Sequence, residues 1–190
     1  MAHSAGRKEE GRRRVLAAAG RGFRRHGFGG IGVDGLARQA GVTSGAFYAH
    51  YPSKAAAFAA AVEAGMTELA DGIARLQAEH GAGWLEPFVD FYLGERRLCD
   101  ASESCALQSL AGDVARADPE TRAAFERDYE MVVAMVAAGL SGTESVRVGK
   151  ARALLALLAG SVSQARAVAD PALSDSIATA TKRAALAIMA

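Results

Sequence analysis

Gly41-Val42-Thr43-Ser44-Gly45-Ala46-Phe47-Tyr48-Ala49-His50-Tyr51-Pro52-Ser53-Lys54 reads as a short helix held between two stops. Gly41 can take the left-handed conformation that ends a helix, and Val42 then plugs the turn. The Thr43 hydroxyl can cap the next helix by accepting from the amide of Gly45 or Ala46. About seven helical residues follow before Pro52 stops them. Phe47 and Tyr51, four apart, form its buried stripe, which leaves Thr43, Ser44, Tyr48 and Ala49 facing outward. The segment is a rigidly presented surface helix.

Helical periodicity continues upstream. Val33, Leu36, Ala37 and Ala40 fall on one face of a helix that stops at Gly41. From Glu9 to His26, Val15, Ala18, Ala19 and Phe23 recur at three- and four-residue spacing, while Arg12, Arg13, Arg21, Arg24 and Arg25 take the other faces. Gly27 can cap that first helix. Residues 1–8 lack periodicity and read as a flexible basic arm. Gly27-Phe28-Gly29-Gly30-Ile31-Gly32 has the glycine spacing of a dinucleotide-binding loop, but that pattern has meaning only between a strand and a helix. After an arginine-rich helix it reads as a plain loop. Helix, tight glycine turn, helix is the spacing of a helix-turn-helix, so residues 9–54 are expected to bind DNA.

In detail this segment resembles the TetR-type transcriptional repressors. The resemblance is carried by Val15, Ala18-Ala19 and Phe23-x-x-x-Gly27, then Val33-x-x-Leu36-Ala37-x-x-Ala40-Gly41-Val42-Thr43, then Gly45-x-Phe47-Tyr48-x-His50-Tyr51-Pro52-Ser53-Lys54. It implies a homodimeric, ligand-responsive repressor that reads a palindromic operator in double-stranded DNA through its third helix. Three departures matter: Gly32 stands where the family usually has a hydroxyl cap, and Ser44 and Ala46 stand where it often has longer side chains. Readout is then expected from the Thr43 and Ser44 hydroxyls, an Ala46 contact to a thymine methyl, close approach at Gly45, and DNA shape. Tyr48, His50 and Lys54 are expected on phosphates.

The charge distribution agrees. Residues 1–60 carry +7 and residues 61–190 carry −6, within a net charge of +1. A basic end on an acidic remainder suits a polyanion partner at that end alone. The 190 residues are 51% hydrophobic, poor in strand-forming runs, and suit an all-α fold of about nine helices. Two cysteines fit a reducing compartment, no signal peptide stands out, and the longest apolar run is far shorter than a membrane span. The expected location is the cytoplasm, with no membrane partner.

Residues 55–190 should form a ligand-binding and dimerisation domain, joined to the first by a long helix over residues 53–80 capped by Ser53. A fifth helix, Trp84 to Leu98, carries Phe88, Phe91 and Tyr92. With Leu107, Phe125 and Tyr129 from later helices these residues form either plain core or an apolar ligand pocket. Ser104 is a plausible cap that would set Cys105 in the first turn of a sixth helix, where the helix dipole favours a thiolate. Cys105 is then either a small buried residue or an electrophile- or oxidant-sensing thiol with Cys99 as its resolving partner; its surroundings resemble an electrophile-sensing branch of the same family. Asp118-Pro119-Glu120 opens a seventh helix. The last two helices bear Leu154, Leu157, Leu158 and Val162, then Ile177, Ala184 and Ile188, more apolar surface than one neighbour covers. They are expected at the dimer interface, where the resemblance places a four-helix bundle across a twofold axis.

His3, His26, His50 and His80 are scattered and Cys99 and Cys105 have no nearby histidine, so no metal or cofactor site is expected. No nucleophile elbow, Walker loop or His-Glu-x-x-His motif occurs, and an enzyme is not expected. A helical small-molecule-binding protein would leave the basic end unexplained, and a non-specific architectural DNA-binding protein would leave the aromatic cluster unexplained.

Overall fold

In the computed structural model, which describes residues 2–189, α1 (Ala2–Gly30) is already helical at Ala2. The flexible arm expected over residues 1–8 is therefore helical from its second residue; Met1 lies outside the described residues. The helix is broken at Gly27, whose φ of 72° and ψ of 170° suit glycine alone. Val15, Ala18, Ala19 and Phe23 are fully buried, as their spacing requires.

Two short helices cross α1. α2 (Val33–Ala40) buries Leu36 and Ala37 and ends at Gly41, whose left-handed backbone (φ 68°) lets the Val42 amide donate back to the Ala37 carbonyl at 3.0 Å. α3 (Ser44–His50) is capped by Thr43, whose hydroxyl accepts from the Ala46 amide at 3.1 Å. Phe47 and Tyr51 seat it on the core. Ser53 accepts from the Ala56 amide at 3.0 Å and opens α4 (Lys54–His80), about 40 Å of helix at 1.5 Å per residue.

Three of the following helices pack directly on α4, and the last two pack on those in turn. The fifth helix expected from sequence is broken at Gly94 into α5 (Leu85–Leu93) and a four-residue α6 (Glu95–Leu98). Counting that pair as one, nine helices occur and no strand is present among the described residues. α7 (Ala106–Val114) lies between α1, α4 and α9, and α8 (Pro119–Ala138) lies along α4. Asp118 caps α8 by accepting from the Thr121 amide at 2.8 Å. Trp84 locks the α4–α5 turn to the end of α8, its indole N–H donating to the Gly139 carbonyl at 2.9 Å.

α9 (Glu144–Ala167) and α10 (Pro171–Met189) pair closely, joined inside by the Thr181 hydroxyl donating to Ser161 at 2.8 Å. Leu154, Leu158 and Val162 are buried within the subunit, against the expectation that they serve a dimer interface. Their side of α9 is already covered by α5, α7, α8 and α10. Leu157 and Ile177 are half-buried, Ala184 is exposed and Ile188 is 46% exposed. With exposed Val146, Ala153, Ala156, Leu173 and Ala180, these are among the apolar positions the two helices leave free.

Candidate functional site

Two places gather the residues singled out by the sequence: the outer face of α3, and a cavity against the middle of α4. On α3, burial of Phe47 and Tyr51 turns Thr43, Gly45, Tyr48 and Ala49 to solvent, with Tyr48 52% exposed. Gly32 caps α2 through its backbone alone and is exposed beside the exposed Asp34. Ala46 is half-buried. The adjacent hydroxyls of Thr43 and Ser44 differ: the first caps α3, whereas the second donates to the Asp34 carboxylate at 2.6 Å. Asp34 was not foreseen as a partner, because an acid in the first turn of α2 reads as ordinary dipole compensation.

The flanking cations are also engaged. The Lys54 ammonium sits 4.5 Å from the centroid of the Phe28 ring, a cation–π contact that fixes its side chain. Phe28 itself packs against Phe23 and Phe58, with centroids 6.0 and 5.1 Å away. His50 is half-buried against α1 where Gly11 has no side chain; a Cβ there would approach the imidazole Nε2 to 2.9 Å. The Arg12 guanidinium lies 5.8 Å from the Tyr51 ring centroid. Exposed Lys8, Arg12, Arg13, Arg14, Arg21 and Arg38 give this end its positive charge.

The cavity, about 320 Å³, lies between α4, α5, α6 and the start of α7. Phe88, Phe91 and Tyr92 line it as expected. Trp84 and Leu107 are buried in the surrounding core, and Phe125 and Tyr129 stack on each other along α8 with centroids 6.1 Å apart, away from the lining. Sequence reasoning missed the other wall: Leu69, Ile73 and Leu76 of α4 are apolar, and Glu68, Arg75 and Arg96 are charged. A signal existed in Gly65 and Gly72, seven apart on α4 where glycine costs a helix about 1 kcal/mol. A Cβ on Gly65 would collide with Ala106 of α7.

Cys105 lines the cavity, but not as a first-turn residue. Ser104 spends its hydroxyl on the Ala101 carbonyl at 2.6 Å, so it caps nothing, and Cys105 itself holds the cap position of α7. Its neighbour is the Tyr92 hydroxyl, which is buried without a hydrogen-bond partner among the described residues. Burial first, and then the Cys105 thiol, push the Tyr92 phenol well above its ordinary value. Cys99 is outside the lining; its carbonyl and sulfur accept from Arg166 at 2.9 and 3.1 Å.

Glu68 joins the two places. One carboxylate oxygen accepts from Arg24 of α1 and the other from Arg96 of α6, each at 2.9 Å. Burial raises the Glu68 pKa, but the two guanidinium groups outweigh it and hold the carboxyl below its ordinary value. Two further polar ties run from the same end of α1: Arg25 to Asp100 at 3.5 Å, and the Phe28 amide to the Asp113 carboxylate at 2.7 Å. Among the described residues no group of three His, Cys, Asp or Glu could hold a metal ion, and no helix is long and apolar enough to cross a membrane.

Residues 15–61 match the sequence pattern of the bacterial regulatory proteins of the tetR family. No curated protein matches the chain in sequence. Among solved structures, Escherichia coli NemR in its reduced form is similar over 92% of this chain and 96% of its own, with 21% identity and a TM-score of 0.76. The TetR-family regulator SCO4454 from Streptomyces coelicolor is similar over 95% of both chains, with 16% identity and a TM-score of 0.76. A TetR regulator from Legionella pneumophila covers 90% of this chain and 95% of its own at 14% identity and a TM-score of 0.75. At these identities the likeness is one of fold. Residues 15–61 thus carry a motif of the tetR family of bacterial regulatory proteins, and the whole chain shares its fold with solved regulators of that type.

Proposed function

We propose that the protein is a ligand-responsive repressor that binds a palindromic operator as a homodimer. The carrying observation is the presentation of α3: it is capped by Thr43, seated by Phe47 and Tyr51, and surrounded by the positive charge of α1. Residues 9–54 act as the DNA-binding domain and residues 55–190 as the ligand-binding and dimerisation domain. In the major groove, Thr43, Gly45 and Ala46 approach the base edges, while Gly32, Tyr48, His50 and Lys54 contact phosphates. Ser44 acts mainly through Asp34, since its hydroxyl proton is already donated. The exposed apolar strip of α9 and α10 joins two subunits, which sets the spacing of the two reading helices.

The effector occupies the cavity beside α4. Binding there favours a state in which α4 and α1 move together and the two reading helices leave the register of successive grooves. Modification of Cys105, at the cavity wall, acts on the same element. Such a protein works in the cytoplasm.

The test is fluorescence anisotropy on DNA from upstream of the protein's own gene and its neighbour, across a salt series. A specific site should bind about a thousandfold or more tightly than bulk DNA. Equal affinity for all sequences would instead favour an architectural role.

A further inference from the structure

The cavity combines an apolar body with an uneven set of charges. Leu69, Ile73 and Leu76 on one side and Phe88, Phe91 and Tyr92 on the other suit a flat hydrophobic group. Of the charged lining residues, Arg75 is exposed and Arg96 is half-buried, with its guanidinium 5.3 Å from the Phe91 ring centroid. Glu68 is the lone acid in the lining, and its charge is already divided between Arg96 and Arg24. The Glu68 carboxylate with its two arginines carries one net positive charge, and Arg75 adds another. The buried Tyr92 hydroxyl, with the Cys105 thiol beside it, has a proton it can donate to a ligand oxygen.

The geometry points to an effector with a planar apolar body and a carboxylate head that docks on Arg96 in competition with Glu68. This names the ligand class for the regulator reading above and rests on it. Arg96 gives one donor to Glu68 at 2.9 Å and one to the Glu103 carbonyl at 2.6 Å. A guanidinium has five N–H donors in a fork that matches a carboxylate, so a second anion can be received. A ligand carboxylate there draws Arg96 away from Glu68 and loosens the carboxylate that also holds Arg24 of α1. Ligand occupancy is thereby transmitted to the DNA-binding domain through one side chain. A cationic ligand would meet Arg96 and Arg75 with its own sign, and a neutral one would leave the Glu68 bridge intact.

Three probes of one shape separate these cases in calorimetric titration of the full chain: naphthalene-2-carboxylate, naphthalene-2-carboxamide and naphthalen-2-ylmethylammonium. The carboxylate should bind about ten- to a hundredfold more tightly than the amide, the range of a charge-assisted hydrogen bond, and the ammonium most weakly. Arg96→Gln should level the carboxylate and the amide, whereas Glu68→Gln, by removing the competitor, should tighten the carboxylate. If Arg96→Gln fails to fold, Arg96→Lys and Tyr92→Phe replace it; each should reduce the carboxylate preference, and the second removes only a hydroxyl.

Equal binding of carboxylate and amide, preference for the ammonium, or no heat from the carboxylate at about 1 mM would overturn the proposal. The regulator reading is scored separately, by anisotropy on DNA without any probe. Carboxylate binding that leaves the DNA affinity unchanged would overturn the transmission through Glu68.

Discussion

The segment from Gly41 to Lys54 and the cavity on α4 adjoin the same long helix, but they are closed by different physics. The α3 segment is held locally by two hydroxyl caps, a left-handed glycine and two aromatic anchors within 15 residues. The cavity is closed by residues of four successive helices, α4 to α7, and its charged wall depends on one carboxylate shared by Arg24 and Arg96. An element made of local caps and buried rings keeps one geometry, as a reader of DNA must. An element closed by a partly exposed ion bridge can exchange its partner, as the proposed sensing role requires.

The strongest way to break this contrast is to remove an anchor of the reader. Phe47 is fully buried, so Phe47→Ala should cost about 3–5 kcal/mol by the usual toll of deleting a core aromatic. Thermal unfolding measures it. A loss below about 1 kcal/mol would mean that the reader is not fixed by its own core.

A smaller effect is expected where the two regions meet. Asp113→Ala leaves the Phe28 amide, set free by the break at Gly27, without its acceptor, and should cost about 1–3 kcal/mol. The neighbouring Glu68 bridge responds to acid. Its carboxyl is held below the ordinary value, so its contribution is complete above the unfolded-chain value near 4.3 and is lost as pH falls through the lower folded value. The stability difference between wild type and Glu68→Gln should therefore shrink only below about pH 4. A difference that vanished near neutrality would contradict the bridge.

The same contrast explains what the sequence made legible. Caps at Thr43, Ser53 and Asp118 and the stop at Gly41 act within a few residues, and each stands at its expected position. The missing cap at Ser104 and the break at Gly94 depend on what surrounds them: Ser104 turns to the Ala101 carbonyl, and the Gly94 backbone leaves the helical region at ψ −93°. Leu154, Leu158 and Val162 show the same limit, since periodicity gives an apolar face but not which neighbour covers it. Nothing in the local pattern singles out Glu68 or Arg96. Only the packing of α1 and α6 against α4 brings them together.

At the DNA end, Lys54→Ala should weaken binding to all sequences alike and lower the salt slope by about one. The variant also gives up the Phe28 contact, which adds about 0.5–1 kcal/mol of stability loss. Anisotropy in a salt series gives the first quantity and unfolding the second. A changed sequence preference would show instead that Lys54 reaches base edges.

The finest comparison sets two adjacent hydroxyls against each other. Thr43 accepts from the Ala46 amide, so Thr43→Ala should cost about 1 kcal/mol as a lost cap and weaken DNA binding along with it. Ser44 donates to Asp34, so its proton is not free to read a base. Ser44→Ala puts a good helix former at the first position of α3 and removes an exposed hydrogen bond, which should change affinity for a specific site by no more than about two- to threefold. The small loss has a sign: without the Ser44 proton, the Asp34 carboxylate faces the phosphates less compensated. Asp34→Asn should accordingly tighten binding to every sequence slightly and leave the preference unchanged. If Ser44→Ala instead abolished discrimination between specific and bulk DNA, Ser44 must leave Asp34 on binding, and the reading helix would be less preorganised than its caps indicate.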